Sequence, residues 1–219
     1  MVRYILSTLL ICCFLSGYAQ KNNFTPPNYK KIHKEINKPG SKPTYQQLFK
    51  RYNDNDTTLS PEEYRLLYFG FTFQPEYSPD VKEPMVDSLM AILRLEQIKP
   101  EQYDKVVKYS EKILQKNPFD MRYLDPLIYV YRMQGNNQLA SKLEFKLGRI
   151  IETIFTTGDG LTEKTAFHVI SATHETDMLR ALGFGFVGMQ SIKNNQFDYL
   201  KVEENAYGIE GIYFKKPTQ

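Results

Sequence analysis

Two of the three histidines, His168 and His174, stand six residues apart and are followed at once by Glu175 and Asp177. Imidazole and carboxylate are the ligand types of a zinc site that activates water, and Asp159 upstream adds a fifth member to this polar cluster. Such a site needs three or four ligands held by a supporting shell. His168, His174 and Glu175 supply three only if the chain folds back between them. The helical His-Glu-x-x-His spacing is missing. Ser171, His174 and Asp177 are also the residue types of a hydrolase triad. No nucleophile-elbow motif surrounds Ser171, however, and triad partners ordinarily come from separate elements. His33 lies in a lysine-rich run and reads as solvated.

Other motifs are weaker. Gly158-Asp159-Gly160 reads as a turn and is too short to define a phosphate or metal loop. Asn53 to Thr58 has the acidic look of a calcium loop. Counting from Asp54, however, Leu59 and Arg65 occupy the glycine and glutamate positions, and counting from Asn53 those places hold Thr58 and Tyr64. No phosphate loop or dinucleotide fingerprint is present, and no cofactor is expected. Phe73 and Tyr77, in the aromatic loop Phe69–Pro79, offer either a stacking surface for a sugar ring or peptide, or a cover for helix ends. Tyr131, farther on, is a third candidate binding aromatic.

The elements that must position these residues are mostly helical. Tyr103, Val106, Val107, Ser110, Ile113 and Leu114 repeat at helical spacing, with Lys105, Lys108, Glu111 and Lys112 opposite. A second run, with Leu124, Leu127, Ile128 and Tyr131, stops at Gly135. Pro126 implies either a start at Asp125 as N-cap or a distorted helix. A third, opened by Asn137 as N-cap, carries Leu139, Leu143, Leu147, Ile150 and Ile154. Upstream, Asn28 caps a helix bearing Ile32 and Ile36, and Tyr45, Leu48, Phe49 and Tyr52 mark another. Ser60-Pro61-Glu62-Glu63 is a capping-box start, and a further helix runs from Pro84.

Leu127, Ile128, Tyr131, Gly135, Ala140 and Pro118 match the spacing of tetratricopeptide repeats, so the middle of the chain resembles about one and a half such repeats over residues 85–152. Val106 and Ser110 stand where that repeat carries alanine and an aromatic.

Past Ile154 the pattern turns to strands: 165–171, 183–192, 197–202 and 209–215, with a short helix over 173–182 and a hairpin turn at Asn194-Asn195. The expected class is therefore α+β, with antiparallel helical hairpins over residues 28–157 and a small antiparallel sheet over 158–219 packed on them as one domain.

Residues 1–19 read as a secretory signal: Arg3 gives the positive region, Tyr4 to Leu15 the apolar core, and Gly17 and Ala19 the cleavage site. Residues 20–27 read as a loose leader. The apolar core is too short to span a membrane, and no integral membrane segment is expected in the mature chain. Cys12 and Cys13, the only two cysteines, fall inside the signal, so the mature chain has no disulfide or thiol chemistry. The net charge of +3 is nearly balanced and speaks against nucleic acid as a partner. The N-terminal lysines read as a solvated helix face.

Asp56-Thr57-Thr58-Leu59-Ser60-Pro61-Glu62-Glu63-Tyr64-Arg65-Leu66-Leu67-Tyr68-Phe69-Gly70, Gly158-Asp159-Gly160, Thr165 to Ile170 and the terminal Ile212-Tyr213-Phe214 resemble an uncharacterised family of exported Bacteroidetes proteins, a domain of unknown function numbered 4919. The likeness covers roughly residues 29–214. It implies an exported, helix-then-sheet protein and carries no activity with it. With strong scaffold signals and weak chemical ones, the expected role is a non-catalytic protein- or peptide-interaction module of the cell envelope, periplasmic or secreted. The alternative is an envelope hydrolase centred on His168, His174 and Glu175.

Overall fold

The computed structural model describes residues 24–38, 43–78, 84–192 and 196–217. The expected signal, residues 1–19, and the Asn194-Asn195 turn lie outside them. Among the described residues, helices lead into a four-stranded sheet, an α+β arrangement.

The first three helices start where local hydrogen bonding dictates. Asn28 Oδ1 accepts the Lys31 N–H at 3.0 Å and opens α1, Tyr29–Ile36. Thr44 and Gln47 form a capping box for α2, Tyr45–Asn53. Ser60 and Glu63 do the same for α3, Pro61–Gly70, with proline at its first position. Glu63 also meets Arg51 at 2.6 Å, and Arg51 meets Asp56 at 2.7 Å. The acidic turn between α2 and α3 is thereby held by a guanidinium from α2.

A short helix, α4 (Val86–Leu93), leads to α5 (Tyr103–Lys116), α6 (Met121–Met133) and the nineteen-residue α7 (Asn137–Phe155). Each of α5 to α7 packs on the next, as consecutive hairpins should. Two boundaries differ from expectation. Asp120, whose Oδ1 accepts the Arg122 N–H, caps α6, so Pro126 sits inside the helix instead of opening it. The ring removes one backbone donor, which leaves the Arg122 carbonyl without its usual partner. Asn136, one residue before the expected Asn137, caps α7 through its side chain. Gly135 between them adopts φ +77°, the left-handed position that suits a helix end.

The turn after α7 is steric. A Cβ on Gly158 would lie 2.0 Å from the Thr165 carbonyl oxygen, so only glycine allows this reversal. The chain then forms β1 (Phe167–His168), α8 (Ala172–Ala181), β2 (Phe186–Ile192), β3 (Phe197–Val202) and β4 (Gly211–Lys215). The sheet order is β1-β4-β3-β2. β2, β3 and β4 pair antiparallel, as expected, but β1 is a two-residue strand lying parallel to β4. The sheet is mixed because α8 separates β1 from the hairpin strands and returns the chain as a crossover.

Apolar faces then meet. One cluster joins α1, α2, α3, α6, α7 and α8 to the inner face of the sheet, where Leu200, Val202, Ile212 and Phe214 are buried. Tyr52, Tyr68, Phe69, Phe71 and Phe119 interlock in it through edge-on and tilted ring contacts. A smaller cluster of Leu89, Tyr103, Val106, Ile113, Tyr123 and Val130 holds α4, α5 and α6 together.

Candidate functional site

The polar residues singled out on α8 are buried, and they turn to three different partners. Ser171 caps the helix, its Oγ accepting the Thr173 N–H. His174 meets the Tyr68 hydroxyl of α3 through Nδ1 at 2.6 Å, and the same hydroxyl oxygen accepts the Ile170 N–H. Burial, with Arg122 as a lesser cause, pushes His174 down to about 3 and keeps the ring neutral.

Glu175 faces the sheet. Lys216 Nζ lies 3.5 Å from it and 2.6 Å from Asp198 of β3, which also accepts from Ser191 Oγ. Burial pushes Glu175 up to about 8, so the Lys216 charge is matched mainly by Asp198. Asp177 faces the start of α6. Arg122 Nε lies 3.5 Å away, and Arg180 lies 3.8 Å away on the exposed side. Burial, reinforced by Asp177, pushes the nearby Asp120 up to about 7.

The other two members of the cluster lie elsewhere. His168 is half-buried on β1. Its backbone N–H donates to Thr157 Oγ1, and burial with Lys215 and Arg65 nearby holds its ring down to about 4. Asp159 accepts the Leu161 N–H and shapes its turn. Among the described residues no group of three or more His, Cys, Asp or Glu side chains is placed to hold a metal ion. His174, Glu175 and Asp177 thus face α3, Lys216 and α6 separately, with Glu175 Oε1 and both Asp177 oxygens buried without a hydrogen-bond partner among the described residues, and nothing in the arrangement favours hydrolysis.

The three aromatics also separate. Tyr77 donates its hydroxyl to the Ile170 carbonyl at 2.7 Å and packs edge-on against Phe71, so it ties the aromatic loop to the start of α8. Phe73 is 39% exposed and lies 4.7 Å from the His33 ring. Tyr131 lines a groove, donating its hydroxyl to Glu111 at 2.9 Å.

That groove has room for a ligand. It is about 400 Å³ in volume and lies among α2, α5, α6 and α7. Phe49 and Tyr52 come from α2, Leu114 from α5, Leu127 and Tyr131 from α6, and Leu143 and Lys146 from α7. A second hollow of about 380 Å³ shares Glu111, Gln115 and Tyr131 with it and continues along α5 past Lys108. The two together make an open trough whose deeper part is lined by leucine and aromatic side chains with a few polar groups, while its continuation along α5 is mostly charged, with Asp104, Lys108, Glu111 and Lys112. Sequence reasoning found Tyr131 here and missed Phe49, Asn55 and Lys146. Lys146 did leave a signal: it stands three residues after Leu143 and four before Ile150, on the apolar stripe of α7.

The model of a family described as a domain of unknown function (DUF4919) matches residues 30–217, and the chain belongs to that family. No curated protein and no solved structure matches it.

Proposed function

We propose that this member of the family is a non-catalytic protein- or peptide-interaction module of the cell envelope, with the trough over α2, α5, α6 and α7 as its binding surface. The observation that carries this reading is the trough itself. Its deeper part is walled by leucine and aromatic side chains and it continues openly along α5, while His174, Glu175 and Asp177 of α8 face Tyr68, Lys216 and Arg122 within the fold. Concave helical hairpins recognise extended or helical peptide segments by laying them along such a surface. The tetratricopeptide-like spacing around Tyr131 and Ala140 supports the same use. The signal-like segment, residues 1–19, with Arg3 and its apolar core supports export, to the periplasm or beyond, in the Bacteroidetes setting that the family resemblance suggests. No helix of the described residues is long and apolar enough to cross a membrane, in keeping with a mature chain that carries no integral membrane segment.

The test is selection of peptides from a random library on the purified chain, followed by titration against Leu139→Trp, which fills the groove from its half-buried rim. Binding is expected to fall about tenfold or more, with the melting temperature little changed. Failure to select any peptide, or unchanged binding to the filled groove, would overturn the assignment.

A further inference from the structure

Lys146 sits on the floor of the groove, only 7% exposed, with its ammonium 4.1 Å from the centre of the Tyr52 ring. Among the described residues it makes no ion pair. Asp54, the carboxylate that acts on it from a distance, is paired with Lys50 at 2.5 Å, and Glu111 takes the Tyr131 hydroxyl. A cation–π contact offsets only part of the cost of withdrawing an ammonium from water, and an apolar side chain would fit this stripe of α7 without that cost. A second group in the same groove is also unmatched: Asn55 Oδ1 is buried without a hydrogen-bond partner. The groove therefore presents a cation and an acceptor among leucine and aromatic side chains, with the one carboxylate of its lining, Glu111, taken up by the Tyr131 hydroxyl.

We propose that Lys146 is a specificity-determining residue of this groove and receives the side-chain carboxylate of an acidic residue in an extended, otherwise apolar peptide segment. The proposal rests on the interaction reading above and names the chemistry of its ligand. Charge complementarity selects a carboxylate. Burial selects a side chain: Lys146 is nearly enclosed whereas Phe49, Leu114, Tyr131 and Leu139 of the same groove are half-buried, so a peptide main chain rests on the more exposed residues and a side chain reaches the lysine. The open continuation past Tyr131 selects a passing segment over a chain end. Asn55 Oδ1 is then placed to accept a ligand N–H. Burial lowers the Lys146 amine to about 8, and an incoming carboxylate reverses that shift.

The experiment uses the full chain with 13C labels at lysine Cε, tyrosine Cε and the leucine methyls, and three peptides: Ac-Leu-Leu-Glu-Leu-Leu-NH2, its Gln analogue, and Ac-Leu-Leu-Gln-Leu-Leu with a free carboxyl end. The Glu peptide is expected to bind about tenfold or more tightly than the Gln peptide, as a charge-assisted contact in a partly desolvated site should. It is also expected to raise the titration midpoint of Lys146. Lys146→Met should erase the difference between the two peptides. The assignment is overturned if the Met variant keeps that difference, or if the free-ended peptide raises the Lys146 midpoint as far as the Glu peptide does. If the Gln peptide moves the Tyr131 and Leu127 resonances as strongly as the Glu peptide, the groove stands and the carboxylate assignment falls. If no peptide moves them, the interaction reading falls with it. The wild-type titration decides these outcomes without relying on the variant to fold.

Discussion

The Tyr68 hydroxyl serves two buried groups at once: it is hydrogen-bonded to His174 Nδ1 and accepts from the Ile170 N–H. Replacing it with phenylalanine preserves the ring packing and orphans both partners. Tyr68→Phe is expected to cost about 1–3 kcal/mol, read by chemical denaturation. Glu175 gives a pH signature. Its folded value of about 8 lies above its ordinary 4.5, so the folded state holds a proton that the unfolded chain releases. The contribution is complete below pH 4.5 and is lost as pH rises through 8. Asp120, raised to about 7, acts in the same direction. His174 acts in the opposite direction. Its folded value of about 3 lies below 6.5, so it favours the folded state above pH 6.5 and weakens it as pH falls toward 3. Stability should therefore decline as pH rises from 6.5 to 8. Glu175→Gln should flatten that decline in denaturation midpoints measured across the range. An unchanged slope in the variant would remove Glu175 as a source.

At the scale of the element, two glycines of the hairpin region make opposite predictions from the same local test. Neither Gly135 nor Gly148 has any atom near the place a Cβ would occupy. Gly135 has φ +77° at the α6–α7 turn, whereas Gly148 lies inside α7. Gly135→Ala should cost about 1–2 kcal/mol, because an L side chain is strained in the left-handed region. Gly148→Ala should gain about 0.5–1 kcal/mol, because helix-interior glycine carries excess backbone entropy. Thermal melts of the two variants against the parent decide both signs. Elements also explain why α8 attracts attention in the sequence. Its buried face contacts α3, the sheet and α6 at once. Such a helix in a small domain has to satisfy polar neighbours, and it does so with His174, Glu175 and Asp177.

For the whole molecule, the main core that joins α1, α2, α3, α6, α7 and α8 to the sheet predicts one cooperative unit. The chain has sixteen tyrosines and no tryptophan, so near-ultraviolet circular dichroism reports tyrosine packing throughout. That signal and the far-ultraviolet helical signal should melt together. A sheet that melts ahead of the helices would show that residues 158–217 are a separate unit. At the free edge of the sheet, β2 exposes Phe186, Val187 and Met189, so strand pairing there ends on one side.

Much of this architecture was legible beforehand because its causes are local. Asn28, Ser60 with Glu63, and Gly135 mark helix ends through hydrogen bonds or backbone angles set within a few residues. The alternation of Asp198, Leu200 and Val202 fixes the buried face of β3 in the same way. Pro126 was ambiguous because a proline suits either the start or the inside of a helix, and the choice fell to Asp120, six residues earlier. The parallel pairing of β1 with β4 was out of reach, since it joins residues nearly fifty positions apart. The functional residues divide on the same line. Composition and spacing made His168, His174, Glu175 and Asp177 a candidate cluster, and only packing showed that each turns to a different partner. Lys146 drew no reading from the sequence, and only the packing of α2 against α7 shows its ammonium beside the Tyr52 ring. Sequence alone determined the helices and the polarity of their faces, because those follow from neighbours along the chain. Tertiary structure decided which charges are buried and which face each other across a groove, because burial depends on segments that meet only when the chain has closed.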